Sequence, residues 1–165
     1  MGQFFLFILN KEVNMEVRQL MQITLAKPKE FAEVLEIDKE VIGNDSRKQY
    51  LKETIEKNRC FVAKINSSIV GFLIHNTDFF DCSFISLVIV HPLERKKGYA
   101  KLMIEYFEKI SPTKKVFSST NQSNEKMKKL FLSIGYVESG YIKNLDEGDP
   151  EIIYFKQIDD NNFSH

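Results

Sequence analysis

The residues best suited to chemistry in this 165-residue chain sit together, in Arg95-Lys96-Lys97-Gly98-Tyr99-Ala100-Lys101. They follow the apolar run Ile85-Ser86-Leu87-Val88-Ile89-Val90 and open a segment with helical periodicity. A strand, a basic glycine-containing turn and a helix, in that order, form a device for holding phosphate. The helix start leaves backbone N–H groups without intrahelical partners, at the positive end of its dipole. Gly98 lets the turn fold tightly and admits a ligand oxygen beside the backbone. Ala100 keeps the next turn low, and Arg95, Lys96, Lys97 and Lys101 bring charge to the same spot. We read this as a pyrophosphate seat; the competing reading is a solvated basic turn. A nucleotide P-loop is a poor match because the Gly-Lys-Ser/Thr ending is absent. A dinucleotide fingerprint needs more glycines than Gly98 alone.

The elements that must position this loop are those of one ordinary globular domain. Hydrophobic residues make up 43% and charged residues 28%, which argues against disorder. The formal net charge is zero, so a nucleic-acid binder held by bulk positive charge is not expected. Charge is nonetheless uneven. Between His91 and Lys115, Arg95, Lys96, Lys97, Lys101, Lys109, Lys114 and Lys115 outnumber Glu94, Glu105 and Glu108. Beyond Glu138, Asp146, Glu147, Asp149, Glu151, Asp159 and Asp160 face only Lys143 and Lys156. A basic middle and an acidic tail suit an anionic cofactor and a cationic second substrate, and also suit plain solvated surface.

Cys60 and Cys82 lie in or beside apolar runs and are not spaced as a metal pair, so buried reduced thiols and no metal are expected. Phe4-Phe5-Leu6-Phe7-Ile8-Leu9 is too short to cross a bilayer and lacks the flanks of a signal peptide. No membrane association is expected, and the cytoplasm is the default compartment. Residues 1–14 read as an extension or an extra strand, 15–158 as the domain and 159–165 as a polar tail.

Val17 to Ala26 reads as a strand. A helix with a Phe31, Val34, Leu35, Val41 and Ile42 face follows, ended by Gly43. Asp45-Ser46 is positioned to cap a second helix carrying Tyr50, Leu51 and Ile55. Phe61–Ile65 and Ile69–Ile74 form a hairpin through Asn66-Ser67-Ser68, and Gly71 marks a bulge or close backbone approach. A loop around Asp78 to Asp81 leads to the strand ending at Val90. Leu102, Tyr106 and Ile110 mark a helix that Pro112 stops. Val116–Ser118 is a short strand, Ser123 a cap, and Met127, Leu130, Phe131 and Ile134 the face of a helix ended by Gly135. Tyr136–Leu145 and Glu151–Ile158 are strands joined by an acidic loop. This order predicts an α/β fold with a mixed central sheet of six or seven strands and about four helices.

That order, with Val90-x-Pro92-x-x-Arg95-x-x-Gly98-x-Ala100, resembles the GNAT superfamily of acyl-CoA-dependent N-acetyltransferases over roughly residues 15–157. Asn124 followed by Leu130-Phe131-x-x-x-Gly135-Tyr136 matches the family's second signature. The resemblance implies acetyl-CoA as co-substrate, and a primary amine of a small molecule or peptide as acceptor. It implies direct transfer, with the amine attacking the thioester carbonyl in a ternary complex. Backbone groups of Val88, Ile89 and Val90 would pair with the pantetheine arm as an added strand, provided this strand parts from its neighbour. An N–H there would polarise the carbonyl. Lys96 to Lys101 would hold the pyrophosphate, with Arg95 beside them, and Asn124 would bond the pantetheine.

Phe131 falls where relatives often carry a tyrosine beside the thioester sulfur, and phenylalanine cannot donate a proton. Phe84 and Ser119 stand where relatives often place a glutamate base, so the catalytic residue is unassigned. Asp78, Asp81 and Ser119 are the candidates near the cofactor strand, and Glu147 and Asp149 offer an acidic lip for a cationic amine or an ordinary turn. A CoA-binding module without transferase activity is the alternative. Either a monomer or a homodimer fits the family pattern.

Overall fold

The computed structural model describes residues 21–159, so the proposed extension at 1–14 and most of the polar tail lie outside the described residues. Among the described residues the strands are β1 (Met21–Leu25), β2 (Cys60–Ile65), β3 (Ser68–Phe79), β4 (Cys82–Val90), β5 (Lys115–Asn121), β6 (Val137–Ile142) and β7 (Glu151–Gln157). The helices are α1 (Phe31–Ile42), α2 (Lys48–Glu56), α3 (Tyr99–Ile110) and α4 (Glu125–Ser133), with short 3-10 helices at Pro28–Glu30 and Pro92–Glu94. The strands form one seven-stranded mixed sheet in the order β1-β2-β3-β4-β5-β7-β6, as the alternation of patterns predicts. No helix among the described residues is long and apolar enough to cross a membrane.

The chain groups into two compact units. Among the described residues, one comprises 21–73 together with Val88–Met103, and the other Ile74–Leu87 together with 104–159. In the first, Val34, Leu35 and Ile37 of α1 and Leu51 and Ile55 of α2 are buried, as the periodicity requires. Asp38 is buried among them. Arg47 answers it with a two-point ion pair, Nη2 to Oδ1 at 2.7 Å and Nε donating to Oδ2 at 3.1 Å. Gly43, at φ +78°, ends α1, its N–H bonding the Lys39 carbonyl. The expected Asp45-Ser46 cap of α2 is not made. Arg47 occupies that position without a side-chain cap, and the Ser46 N–H is taken by Asn44 Oδ1.

Two turns are built on non-glycine residues at positive φ, the first the expected hairpin and the second in place of an expected longer loop. Asn66 and Ser67, at φ 49° and 69°, join β2 to β3. Phe80 and Asp81, at φ 52° and 56°, join β3 directly to β4, so β3 runs on to Phe79 where a loop was expected. Gly71 is a close approach. A Cβ there would lie 2.6 Å from the Ile89 carbonyl oxygen, 3.3 Å from Val90 Cα and 3.1 Å from Met103 Cε.

In the second unit the start of β4 is bound tightly. Phe84 opposes Phe117 and Phe117 opposes Phe155 across the ladders. Phe84, Phe79, Phe117 and Phe155 meet in that order as tilted ring pairs with centroids 5.0–5.1 Å apart. Ser83 shares hydroxyl bonds with Ser111 (2.8 Å) and Thr113 (3.0 Å).

Candidate functional site

β4 and β5 run parallel and pair only at Ser83↔Val116, Phe84↔Phe117 and Ile85↔Ser118. The Ser118 hydroxyl donates to the Ile85 carbonyl at 2.8 Å and seals the last pair. β4 then continues from Ser86 to Val90, and β5 continues to Asn121 against β7. The pairing therefore forks, and Val88, Ile89 and Val90 lie beyond the fork.

The segment that follows Val90 is anchored by His91. Its N–H donates to the Val70 carbonyl at 2.9 Å, and its own carbonyl accepts from Glu94 N–H at 2.8 Å. The ring Nδ1 accepts from Leu93 N–H at 3.2 Å, which leaves Nε2 to meet Glu40 Oε2 at 3.2 Å. Beyond this anchor the backbone turns through Lys96 at φ 65° and Gly98 at φ 83° into α3. The first helical bond runs from Leu102 N–H to the Gly98 carbonyl at 3.1 Å. The amides of Lys96, Lys97, Gly98, Tyr99 and Ala100 have no acceptor among the described residues. Tyr99 is buried, whereas Arg95 to Gly98 are exposed. Lys97 is paired with Glu94 at 2.7 Å, and this bond raises the ammonium pKa. Arg95 and Lys96 carry no carboxylate partner among the described residues. One unit thus brings together Val88, Ile89, Val90 and Arg95 through Lys101, with the amides of Lys96 to Ala100 lying in a concentration of positive charge.

The remaining candidates lie in the other unit. Asn124, not Ser123, caps α4: its Oδ1 accepts Met127 N–H at 3.2 Å. That bond identifies the side-chain oxygen and leaves the amide Nδ2 as the outward donor. Phe131 is 0% exposed, stacked on Tyr154 at 5.0 Å and tilted against Tyr136 at 5.2 Å. The Tyr154 hydroxyl reaches Glu138 Oε1 at 3.4 Å, and burial, followed by that carboxylate, raises its pKa. Asp81 lies in the turn that opens β4, whereas Val88 to Val90 close the same strand. Ser119 is half-buried on β5, one residue past the sealed pair.

In the acidic loop, both oxygens of Asp149 are taken by Ser123, through the backbone N–H at 2.9 Å and the hydroxyl at 2.6 Å. Those bonds hold its carboxyl below the usual range. Asp146 accepts from Asn121 Nδ2 at 2.8 Å. Glu147 is exposed and has no partner among the described residues. The ties of Ser123 and Asn121 to this loop carried no signal in the sequence. Of the two thiols expected to be buried, Cys60 is, with its pKa pushed up to about 12 by burial, whereas Cys82, at the start of β4, is only partly buried.

The chain matches the family model of the acetyltransferase (GNAT) family over residues 23–136. It is similar to a GNAT-family acetyltransferase from Bacillus cereus ATCC 10987, at 48% identity and a TM-score of 0.80, covering 83% of this chain and 96% of that one. The fold is shared with the ribosomal-protein-S18-alanine N-acetyltransferase of Escherichia coli, at 15% identity and a TM-score of 0.73, over 84% and 94% of the two chains. It is also shared with YncA of Salmonella typhimurium, solved with its cofactor acetyl-CoA, at 16% identity and a TM-score of 0.69, over 86% and 95%. No protein of curated function matches the chain. A forked parallel strand pair, a donor-rich loop opening a helix and the family match agree: the chain belongs to the GNAT acetyltransferase family.

Proposed function

We propose that this protein transfers an acetyl group from acetyl-CoA directly to a primary amine of a small molecule or peptide. The observation that carries the reading is the fork after Ile85↔Ser118, followed by a loop whose amides from Lys96 to Ala100 lack acceptors among the described residues. A diphosphate fits such a loop: the N–H groups and the α3 dipole favour anions, and Arg95 and Lys96 add charge. Backbone groups of Val88, Ile89 and Val90 would take the pantetheine arm as an added strand. Asn124 would donate from Nδ2, because its Oδ1 is committed to α4.

Bound acetyl-CoA supplies an acyl thioester; the protein's work is to position and polarise. A backbone N–H near Val88 to Val90 would stabilise charge on the carbonyl oxygen, and fixed geometry would replace an encounter in solution. The acceptor must arrive as a neutral amine, and a lysine-like amine with a pKa of about 10.4 must first lose a proton. Of the three sequence candidates near the cofactor strand, we favour Ser119 over Asp78 and Asp81. Ser119 follows the fork on β5, and its hydroxyl could relay the amine's proton to water, accepting it as it gives up its own, but could not hold it as a base would. Phe131 is best assigned to packing, since its ring is enclosed by Tyr136 and Tyr154.

Calorimetric titration with acetyl-CoA, followed by thiol release across a panel of amines, tests the reading. Absence of binding at millimolar acetyl-CoA would defeat it. Binding without thiol release on any amine would favour a CoA-binding module instead. Glu147 is the acidic-loop carboxylate left unpaired, so Glu147→Gln should raise KM for a cationic acceptor about two- to fivefold and leave KM for acetyl-CoA unchanged. An unchanged acceptor KM would remove the lip from the account.

A further inference from the structure

The turn that carries Asn124 is three residues long, Gln122 to Asn124, between the end of β5 and the start of α4. Local bonds hold part of its path, and the β6–β7 loop holds the rest. Gln122 N–H donates to the Pro150 carbonyl at 2.8 Å. Ser123 gives both its N–H and its hydroxyl to the Asp149 carboxylate. Asn121 reaches Asp146 and, at 3.4 Å, the Asp149 carbonyl. Within the turn, Asn124 N–H then bonds the Asn121 carbonyl at 3.0 Å, and Lys128 Nζ bonds the Gln122 carbonyl at 3.1 Å.

We propose that Asp149 is a positioning residue for acetyl-CoA: by gripping Ser123 at two points it sets the direction in which Asn124 presents its side-chain amide. The proposal rests on the reading of Asn124 as a cofactor contact. It gives Asp149 a role different from an acidic lip, because both carboxylate oxygens are already engaged and an amine would have to compete with Ser123 for them. A carboxylate accepting two such bonds is also the strongest short-range tie available to a turn without regular structure. The β6–β7 loop, whatever it meets on its outer side, is thereby joined to the cofactor contact.

The test measures acetyl-CoA dissociation constants by calorimetry, and KM and kcat by thiol release, for wild type, Asp149→Ala, Asp149→Asn, Ser123→Ala and Asn124→Ala. Asp149→Ala should weaken acetyl-CoA about five- to tenfold, with kcat at saturation within about twofold and acceptor KM unchanged. Asp149→Asn keeps one acceptor oxygen and should recover most of the loss. In an Asn124→Ala background, Asp149→Ala should add little, because the two act through one contact. Ser123→Ala removes the hydroxyl bond from the other side, and serves as the decisive variant should Asp149→Ala fold poorly. Wild type that binds acetyl-CoA while Asp149→Ala and Ser123→Ala bind it equally well overturns this proposal alone. A raised acceptor KM with unchanged acetyl-CoA affinity overturns it in favour of acceptor recognition. Wild type that does not bind acetyl-CoA brings down the functional reading first.

Discussion

The loop from His91 to Gly98 and the loop from Lys143 to Pro150 are both charged, exposed and turn-rich, yet they use their polar groups in opposite ways. The basic loop leaves its backbone donors from Lys96 to Ala100 and the side chains of Arg95 and Lys96 without partners among the described residues. The acidic loop spends Asp146 and Asp149 on Asn121 and Ser123 and leaves only Glu147 without a partner among the described residues. Charge in a turn is therefore a poor guide to binding. Unspent hydrogen-bonding capacity, held on a rigid strand end and helix start, is the better one.

The strongest way to break this contrast is to reverse the charge of the unspent loop. Arg95→Glu with Lys96→Glu should weaken acetyl-CoA about thirtyfold or more at low salt, with the loss shrinking near about 0.5 M salt as screening shortens the range of the charges. A loss independent of salt, or none at all, would show that these side chains are solvated surface. Next in size is Gly71→Ala. The added Cβ meets the Ile89 carbonyl at 2.6 Å, and backbone cannot yield as a side-chain tip can. We expect destabilisation of about 1–3 kcal/mol and roughly tenfold weaker acetyl-CoA binding, because the strand end itself must shift. Unchanged melting temperature and affinity would refute the close packing of β3 against the end of β4.

The smallest effect concerns pH and sharpens the other half of the contrast. The Asp149 carboxyl is lowered by its bonds to Ser123, so its contribution is present above the unfolded-state value and is lost only as pH falls through the still lower folded value. Asp149 should therefore leave acetyl-CoA affinity flat from neutral pH down to about 5. A difference between wild type and Asp149→Asn that disappears between pH 7 and pH 5 would mean the carboxyl is protonated there and not gripped as described.

How much was legible in the sequence follows from how local each feature is. The basic loop was readable because Gly98, the preceding apolar strand and the following helix period are contiguous. Gly43 and Gly135 announced helix ends through the same short-range chemistry. The hairpin at Asn66-Ser67 was readable as polar turn residues between two apolar runs, whereas the tight turn at Phe80-Asp81 was less legible, because glycine is the usual signal for positive φ and none is present there. Asn124 was singled out for the cofactor while Ser123 was expected to cap the helix. The structure moves the cap to Asn124 and gives Ser123 to Asp149, a residue far along the chain. The fork was legible only as a condition. Its seal, Ser118 to Ile85, and the Phe84–Phe79–Phe117–Phe155 series join separate strands, and no periodicity encodes such pairings.

That phenylalanine series has a consequence for how the protein can change. Side chains fasten the strands where the ladder is intact, and the fork opens where they stop. A smaller residue at Phe84 or Phe117 would slacken the fastening at its root, leaving every group proposed to touch acetyl-CoA in place. Aperture and chemistry can thus be adjusted by separate sets of substitutions.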